Sequence, residues 1–438
     1  MEVSVKNFGT IRHADVHIGG LTVITGENDT GKSTIGKILF SLVKAVARYE
    51  EDLEEVKEVR VTNEAQQLYY TLRRYVNIAD NVELRDMFHP RKMYGQFKLD
   101  AVKAYNERMA EFVRLSEEQT ITENTLGSFV HSLNKIMAIV NEPDDEVFVM
   151  SRAVRKSFFS EFNNEIIQRG TESACPASIS ITDGASKLID ITWEKEGEHR
   201  FSFVDALGYA DATYVDSPAI IQFHHIVRMA RTLFESDPSR LAVPLHVKDL
   251  ANKLTDSQYA VAGLEDLLSD GYRMPNITSE VGALLGGMIS YDDVASDFVL
   301  DRNGFKISSN NIASGIKAIG ILDMLVTGGS VRRNSLLVLD EPEVNLHPKW
   351  QVAYCEIICS LVLAGVDIIV TTHSPYIVEA LKHHSDKTGI EHRFYLAQKV
   401  SFCESEFRDI TPDISIAIDA LAAPLMSLNE GSVEDFLS

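Results

Sequence analysis

The chain is short of cysteine and of positive charge, and it has no long hydrophobic run. Its 438 residues include four cysteines, Cys175, Cys355, Cys359 and Cys403, and none of them form a CxxC pair. This pattern argues against a zinc ribbon or a disulfide scaffold and predicts a reduced, cytoplasmic setting. Cys355 and Cys359 lie one helical turn apart and read as small buried apolar residues. The most apolar stretch, 357–370, is broken by Gly365 and Asp367. It falls short of the ~20 residues that a membrane span needs. The N-terminal MEVSVKNFGTIRHADVHI lacks the apolar core of a signal peptide. Lys and Arg number 42 against 64 Asp and Glu, giving a net charge of −22. A mean field of that sign repels phosphate backbones, so nucleic acid is a weak expectation that needs a local basic patch or a partner subunit.

What remains is an ordinary globular composition, 45% hydrophobic and 24% charged. Its length suits two or three domains' worth of chain. Residues 1–25 read as three strands, with turns at Gly9-Thr10 and Gly19-Gly20. A helix is expected from Lys32 to about Tyr49, with Ile35, Ile38, Leu39, Leu42, Val43 and Val46 on one face. From 51 to 175 the chain reads as a charged, mainly helical insertion. There Val102, Tyr105, Met109 and Phe112 show heptad-like spacing, and 127–140 is a second helix. Residues 177–206 read as an antiparallel meander and Ala212–Val215 as a short strand. Helices are expected at 219–236, 246–270 and 277–289, and 298–308 as a hairpin turned at Asn303-Gly304. Residues 176–400 then belong with 1–50, and 401–438 is a C-terminal extension.

Four motifs carry the chemistry. Gly26-Glu27-Asn28-Asp29-Thr30-Gly31-Lys32-Ser33, followed by Thr34, matches G-x-x-x-x-G-K-[ST] between an apolar strand and an amphipathic helix. The glycines let backbone N–H groups, Asn28 and Thr30 included, curl inward around phosphate, and the helix N-terminus adds positive partial charge. Lys32 is placed to reach the β- and γ-phosphates, Ser33 to hold Mg²⁺ and Thr34 to touch the α-phosphate of ATP. Leu336-Leu337-Val338-Leu339 reads as a buried strand that delivers Asp340 and Glu341. Asp340 suits the Mg²⁺ shell and Glu341 the polarisation of an attacking water. The plain alternative is a strand that ends in a solvated acidic turn. Asp367 to Pro375 is a second apolar strand ending in Thr371-Thr372-His373, where His373 either senses the γ-phosphate or is structural. Ser314-Gly315 opens a helix and reads as a second phosphate cradle or as a simple N-cap by Ser314.

In this order the motifs resemble the ATPase heads of the ABC superfamily, so the fold class expected is α/β, an ABC-type P-loop head with a mainly helical insertion. Glu341-Pro342-Glu343 with Leu346-His347-Pro348, and the Thr371-Thr372-His373-Ser374-Pro375 segment, resemble the OLD-like and RecF-like branch more than transporter subunits. Tyr214-Val215-Asp216-Ser217-Pro218 resembles a strand-end motif of stand-alone bacterial members. The resemblance covers roughly 1–50 and 205–400. It implies head-to-tail dimers or higher homo-oligomers, with ATP on the Lys32 loop of one copy closed over by Ser314-Gly315 of the other. It also implies Glu341 as general base, His373 as switch, and 344–347 as the interface loop. The signature is Ala-Ser-Gly-Ile-Lys where the family has Leu-Ser-Gly-Gly-Gln. A Q-loop glutamine has no clear place among Gln66, Gln67 and Gln96. No TOPRIM or HNH metal set follows. The resemblance therefore implies an ATPase subunit like those of the Septu, retron-associated Septu or PARIS anti-phage systems, acting with a separate HNH or TOPRIM nuclease or a toxin. The rival reading is a RecF-like DNA-repair clamp.

Two surfaces suggest partners. Residues 85–114 interleave Arg85, Arg91, Lys92, Lys98, Lys103, Arg108 and Arg114 with Tyr94, Phe97 and Tyr105, as a nucleic-acid face, a solvated helix face or a protein docking surface. The tail beyond Arg408 is acidic, with Leu421, Leu425 and Leu428 as docking candidates or as part of a frayed end.

Overall fold

The computed structural model describes all residues except 48, 77, 79–81, 119, 143–145, 164, 168–174, 195–198, 233–241, 260–276 and 431–438. In chain order the elements begin with β1 (Glu2–Phe8), β2 (Ile11–His17), β3 (Leu21–Gly26) and α1 (Lys32–Ala47). Helices α2 (Tyr49–Leu72), α3 (Val82–Met87), α4 (Pro90–Leu99), α5 (Ala101–Glu117), α6 (Glu123–Asn141) and α7 (Glu146–Phe162) follow. Next come β4 (Ala177–Asp183), β5 (Ser186–Trp193), β6 (His199–Phe203), β7 (Asp211–Val215), α8 (Ile220–Met229), β8 (Arg231–Thr232), β9 (Ala242–Val243), α9 (Leu245–Asp256) and α10 (Thr278–Leu285). The chain continues through β10 (Met288–Asp292), β11 (Asp297–Arg302), β12 (Phe305–Ser308), α11 (Ser314–Thr327), β13 (Ser335–Asp340), α12 (Pro348–Leu363) and β14 (Asp367–Thr372). It closes with α13 (Pro375–Thr388), β15 (His392–Lys399), β16 (Ser405–Asp409) and α14 (Ser415–Glu430).

Two compact units result. One is Met1–Ala47 with Val154–Ser438; the other is Arg48–Ala153. The second unit is helical and has its own core of Leu68, Phe88, Phe97, Phe112, Phe129 and Leu133 among others. The insertion expected at 51–175 runs past that boundary, because Val154–Phe162 of α7 belongs to the first unit.

In the first unit the described strands form a sheet in the order β6-β5-β4-β1-β2-β16-β15-β3-β14-β13-β7. From β15 to β7 every pairing is parallel. A parallel strand covered on both faces needs an apolar run rather than alternation, and β3 is buried at every residue from Leu21 to Gly26. The flanking strands β6-β5-β4-β1-β2 are antiparallel and alternate, as in β4, where Ala177, Ile179 and Ile181 point inward. The register aligns the carboxyl ends of the parallel strands: Thr25 lies opposite Thr372, Asp340 opposite Thr371 and Leu339 opposite Val215. Ligands of open α/β sheets bind at that edge.

Local signals set the helix starts. Pro348 and Pro375 occupy the first turns of α12 and α13, where a missing N–H costs nothing. The His347 imidazole accepts from Lys349 N at 3.3 Å and caps α12, so the Leu-His-Pro run is a helix start. Lys44, near the end of α1, is clamped by Asp211 (2.7 Å) and Asp249 (2.6 Å), which also hold Lys253. This fixes α1 against β7 and α9.

Several sequence expectations change. The helix expected at 219–236 stops at Met229, and Arg231–Thr232 pairs with Ala242–Val243. The helix expected at 277–289 ends at Leu285, where Gly286 adopts φ +65°, and Met288 starts a strand that extends the 298–308 hairpin to three strands. The helix expected at 246–270 is described only to Asp256, with a 3₁₀ turn to Tyr259, and 260–270 lies outside the described residues. The heptad-like spacing is no coiled-coil seam: Val102 is exposed, while Phe112 stacks between Phe88 and Phe129. The basic–aromatic stretch is divided: Arg85, Arg91, Lys92, Lys98, Lys103 and Arg114 are exposed, whereas Arg108 and Phe97 turn inward. Phe97 is buried, and the buried Arg108 guanidinium lies over the Phe88 and Phe97 rings. Leu421 packs on the chain's own core, whereas the Leu425 and Leu428 side chains lie outside the described residues. Cys355 and Cys359 are buried, as expected. Among the described residues no helix is long and apolar enough to cross a membrane.

Candidate functional site

The turn between β3 and α1 carries Gly26, Asn28, Thr30, Gly31, Lys32, Ser33 and Thr34. Gly26 has φ +141°, and a Cβ there would lie 2.2 Å from Ala397 O of β15, so only glycine fits. Thr30 closes the turn by donating to Glu27 O at 2.9 Å, and Ser405 Oγ donates to Thr30 O at 2.7 Å. Lys32 is 4% exposed, and its ammonium donates to Glu27 O at 2.5 Å. Burial pulls its pKa down to about 8, against the opposing pull of Glu341, Asp340, Glu343 and Glu27. A cation so placed regains full charge stabilisation from an incoming phosphate.

Asp340, at the end of β13, meets Ser33 across 307 residues of sequence, with Ser33 Oγ donating to Asp340 Oδ1 at 2.8 Å. Thr371 Oγ1 donates to the same oxygen, and the Tyr214 hydroxyl donates to Oδ2 at 2.7 Å. Burial beside this carboxylate raises the Tyr214 phenol far above its usual range and keeps it a donor. A hydroxyl beside a carboxylate at the foot of a phosphate loop fits Mg²⁺. That ion takes one or two protein oxygens and completes its shell with water and phosphate. Among the described residues no cluster of three or more His, Cys, Asp or Glu forms an all-protein metal cage.

Glu341 and His373 are brought together, with His373 Nε2 2.8 Å from Glu341 Oε1, although off the hydrogen-bond direction. Glu341 sits at φ +51°, a conformation that costs a non-glycine residue of order 1–3 kcal/mol. It is held there by its own N–H, which donates to Thr371 O at 3.0 Å. Glu343, which the sequence reading gave no role, staples the two strand ends: it accepts from Thr372 Oγ1 at 2.8 Å and from His373 N at 2.6 Å.

Ser314 and Gly315 open α11, and the N-cap alternative for Ser314 is corrected. The N-cap is Ala313, without a side-chain hydrogen bond, and Ser314 is exposed in the first turn. The first N–H groups of α11 therefore lack a side-chain cap. Gly315 packs in the chain's own fold, where an added Cβ would lie 2.9 Å from Asn345 O and 3.2 Å from Leu346. Of the three candidate glutamines, Gln66 and Gln67 lie on α2, and Gln96 accepts from buried Arg108.

Asp216 is a further residue that the sequence reading left without a role. It follows β7 and lines one cavity with Asp340 and Glu341. Its Oδ2 lies 3.2 Å from His246 Nε2, and His246 Nδ1 lies 2.5 Å from Glu161 Oε2. Burial alone would lower the His246 pKa, but the hydrogen bonds it donates to Asp216 and Glu161 outweigh it and raise it to about 9. Burial would raise Asp216, but His246 outweighs that and lowers it. A histidine at 6.5 unfolded and about 9 folded stabilises fully below about pH 6.5 and loses that contribution as pH rises through about 9. The loss is up to about 3 kcal/mol. Thermal melts are expected to fall between pH 6.5 and 9 in the parent, and this slope is expected to flatten in His246→Gln. An unchanged slope in the variant would refute a charged His246.

Two family models match the chain. One, described as an AAA ATPase domain, matches residues 1–197. The other, described as "AAA domain, putative AbiEii toxin, Type IV TA system", matches residues 144–379, more than half of the chain. No curated protein matches. Similar solved structures, each 11% identical, include an SmcHead bound to the C-winged helix domain of ScpA, with a TM-score of 0.45 over 95% of this chain and 98% of that one. The SMC head domain from Thermotoga maritima gives 0.37 over 93% and 97%. An Smc head domain with an extended coiled coil, bound to the C-terminal domain of ScpA derived from Pyrococcus furiosus, gives 0.43 over 98% and 98%. A strand-to-helix phosphate loop, an acidic strand end two strands away and a family match over more than half of its length agree: this chain carries a P-loop ATPase domain and belongs to the AAA-domain family.

Proposed function

We propose that the chain binds and hydrolyses ATP with Mg²⁺ at composite sites between two copies, and that this cycle controls a separate nuclease or toxin in anti-phage defence. The observation that carries the ATPase part is the convergence of Lys32, Ser33, Asp340, Glu341 and His373 at the carboxyl edge of the parallel strands. Lys32 and the loop N–H groups bind and orient the triphosphate. Ser33 and Asp340 hold Mg²⁺, which supplies charge neutralisation at the phosphates. Glu341 orients and deprotonates the attacking water, and His373, beside it, holds the γ-phosphate end.

The uncapped start of α11 supports the two-copy part. Its exposed Ser314 and first N–H groups suit an anion delivered by another molecule. The Leu-His-Pro and Thr-His-Ser-Pro runs support the OLD-like branch, and the family description, which names a putative toxin and a toxin–antitoxin system, supports the defence role. The RecF-like alternative is weakened by the −22 charge.

Complementation tests the composite site. Lys32→Ala and Ser314→Glu are each expected to be inactive alone. Mixed dimers would carry one intact site, so an equimolar mixture is expected to recover roughly a quarter of the parental ATPase rate by random pairing. No recovery, with both variants folded, would sink the head-to-tail site. For the defence role, the neighbouring gene is expected to encode a nuclease or toxin, and a repair enzyme in that place would favour the rival.

A further inference from the structure

We infer that Asp216, His246 and Glu161 form a positioning relay that ties the acidic end of the nucleotide site to helix α7. Asp216 extends β7 by one residue past Val215, and Val215 lies opposite Leu339, so Asp216 and Asp340 end neighbouring parallel strands at the same level. The side chain of Asp216 is 36% exposed and lines the cavity shared with Asp340 and Glu341, while its Oδ2 faces His246. It therefore faces both ways.

His246 has no such freedom. Its side chain is 4% exposed, and its ring packs against Tyr214 with centroids 4.9 Å apart and against Phe40 at 6.4 Å. Each ring nitrogen meets a carboxylate, an arrangement that suits the doubly protonated ring. The Glu161 side chain is fully buried and grips His246 twice, accepting from its backbone N at 2.9 Å and facing Nδ1 at 2.5 Å. A shift of the imidazolium therefore cannot leave Glu161 where it was without exposing a buried carboxylate to loss of its partner, which is costly.

Glu161 lies on α7, the helix whose sequence starts in the helical unit and ends in the head. A nucleotide bound at the Asp340 edge changes the field at Asp216, and the rigid pair behind it passes the change to α7. A merely structural triad would hold α9 against α7 equally with and without nucleotide. A relay needs two arrangements that the ligand discriminates.

The inference rests on the ATP-binding reading, and the test separates the two. Calorimetry with ATP and Mg²⁺ on Glu341→Gln protein, with Lys32→Ala as the control, reports binding alone. Hydrogen exchange at residues 154–162, with and without ATP, reports the relay. In the Glu341→Gln protein ATP is expected to slow exchange there severalfold. Adding Asp216→Asn, or independently Glu161→Gln, is expected to leave ATP affinity within about threefold while removing that slowing. In otherwise parental protein, Asp216→Asn is expected to lower kcat about tenfold at unchanged KM. Slowing that persists in either variant, or binding without any slowing in the Glu341→Gln protein, overturns the relay. Absence of binding in that protein overturns the ATP reading instead. Should one variant lose its fold, the other carries the decision.

Discussion

Lys32→Ala is expected to abolish ATP binding. The ammonium is 4% exposed and held by a single carbonyl, Glu27 O, at 2.5 Å. Burial has already drawn its pKa down to about 8, so most of the desolvation is incurred before any ligand arrives. An incoming triphosphate therefore meets a preorganised cation, and the favourable charge pairing appears largely as affinity. Removing one partner of such a desolvated pair costs about 2–5 kcal/mol or more, which is roughly 30-fold to several thousandfold in Kd. Alanine leaves the loop backbone and Gly26 untouched, so the fold is expected to survive with an unchanged circular dichroism spectrum. Titration calorimetry checks the effect. An affinity within threefold of the parent would mean that the nucleotide, if any, binds elsewhere.

Glu341→Gln is expected to keep binding and lose turnover. Glutamine matches glutamate in shape, so the left-handed backbone at φ +51° and the N–H bond to Thr371 O remain available. What disappears is the proton acceptor beside His373, 2.8 Å away. Loss of a general base lowers rates by about 10²–10⁴-fold. ATP should then persist in the closed site, and the variant is expected to elute as a stable dimer with ATP and as the smaller species without it. Hydrolysis at the parental rate would remove Glu341 as the base. A variant that no longer hydrolyses ATP but never dimerises would keep the base and dispose of the sandwich.

Much of the head was legible because its signals are local. The Gly26–Ser33 run, the apolar runs before Asp340 and Thr371, and the Asn303-Gly304 turn each encode their own backbone geometry within a few residues. The errors have a common cause. The helices expected at 219–236 and 277–289 run on past Met229 and Leu285 because apolar periodicity does not mark the point where tertiary pairing starts a strand. The spacing of Val102, Tyr105, Met109 and Phe112 gives a helix but not which of these residues lies inside. Arg108 looked like a surface charge because sequence alone does not show that Phe88 and Phe97 stack over it.

The sequence by itself determined that a phosphate loop exists, that an acidic strand end and a histidine strand end accompany it, and that the chain alternates α and β around a helical insertion. These are one-dimensional properties, since dihedral preference, apolar periodicity and glycine placement act between near neighbours. Only the tertiary structure decided which of the acids do what. Parallel register set Asp340 against Ser33 and Tyr214, put Glu341 beside His373, and gave Glu343 the task of holding the His373 backbone. It also gathered Asp216, His246 and Glu161, with 85 residues separating the last two, into one hydrogen-bonded group with a buried histidine at its centre. Charge pairing of this kind depends on distance in space and on exclusion of water, and neither is written in the spacing of residues along the chain.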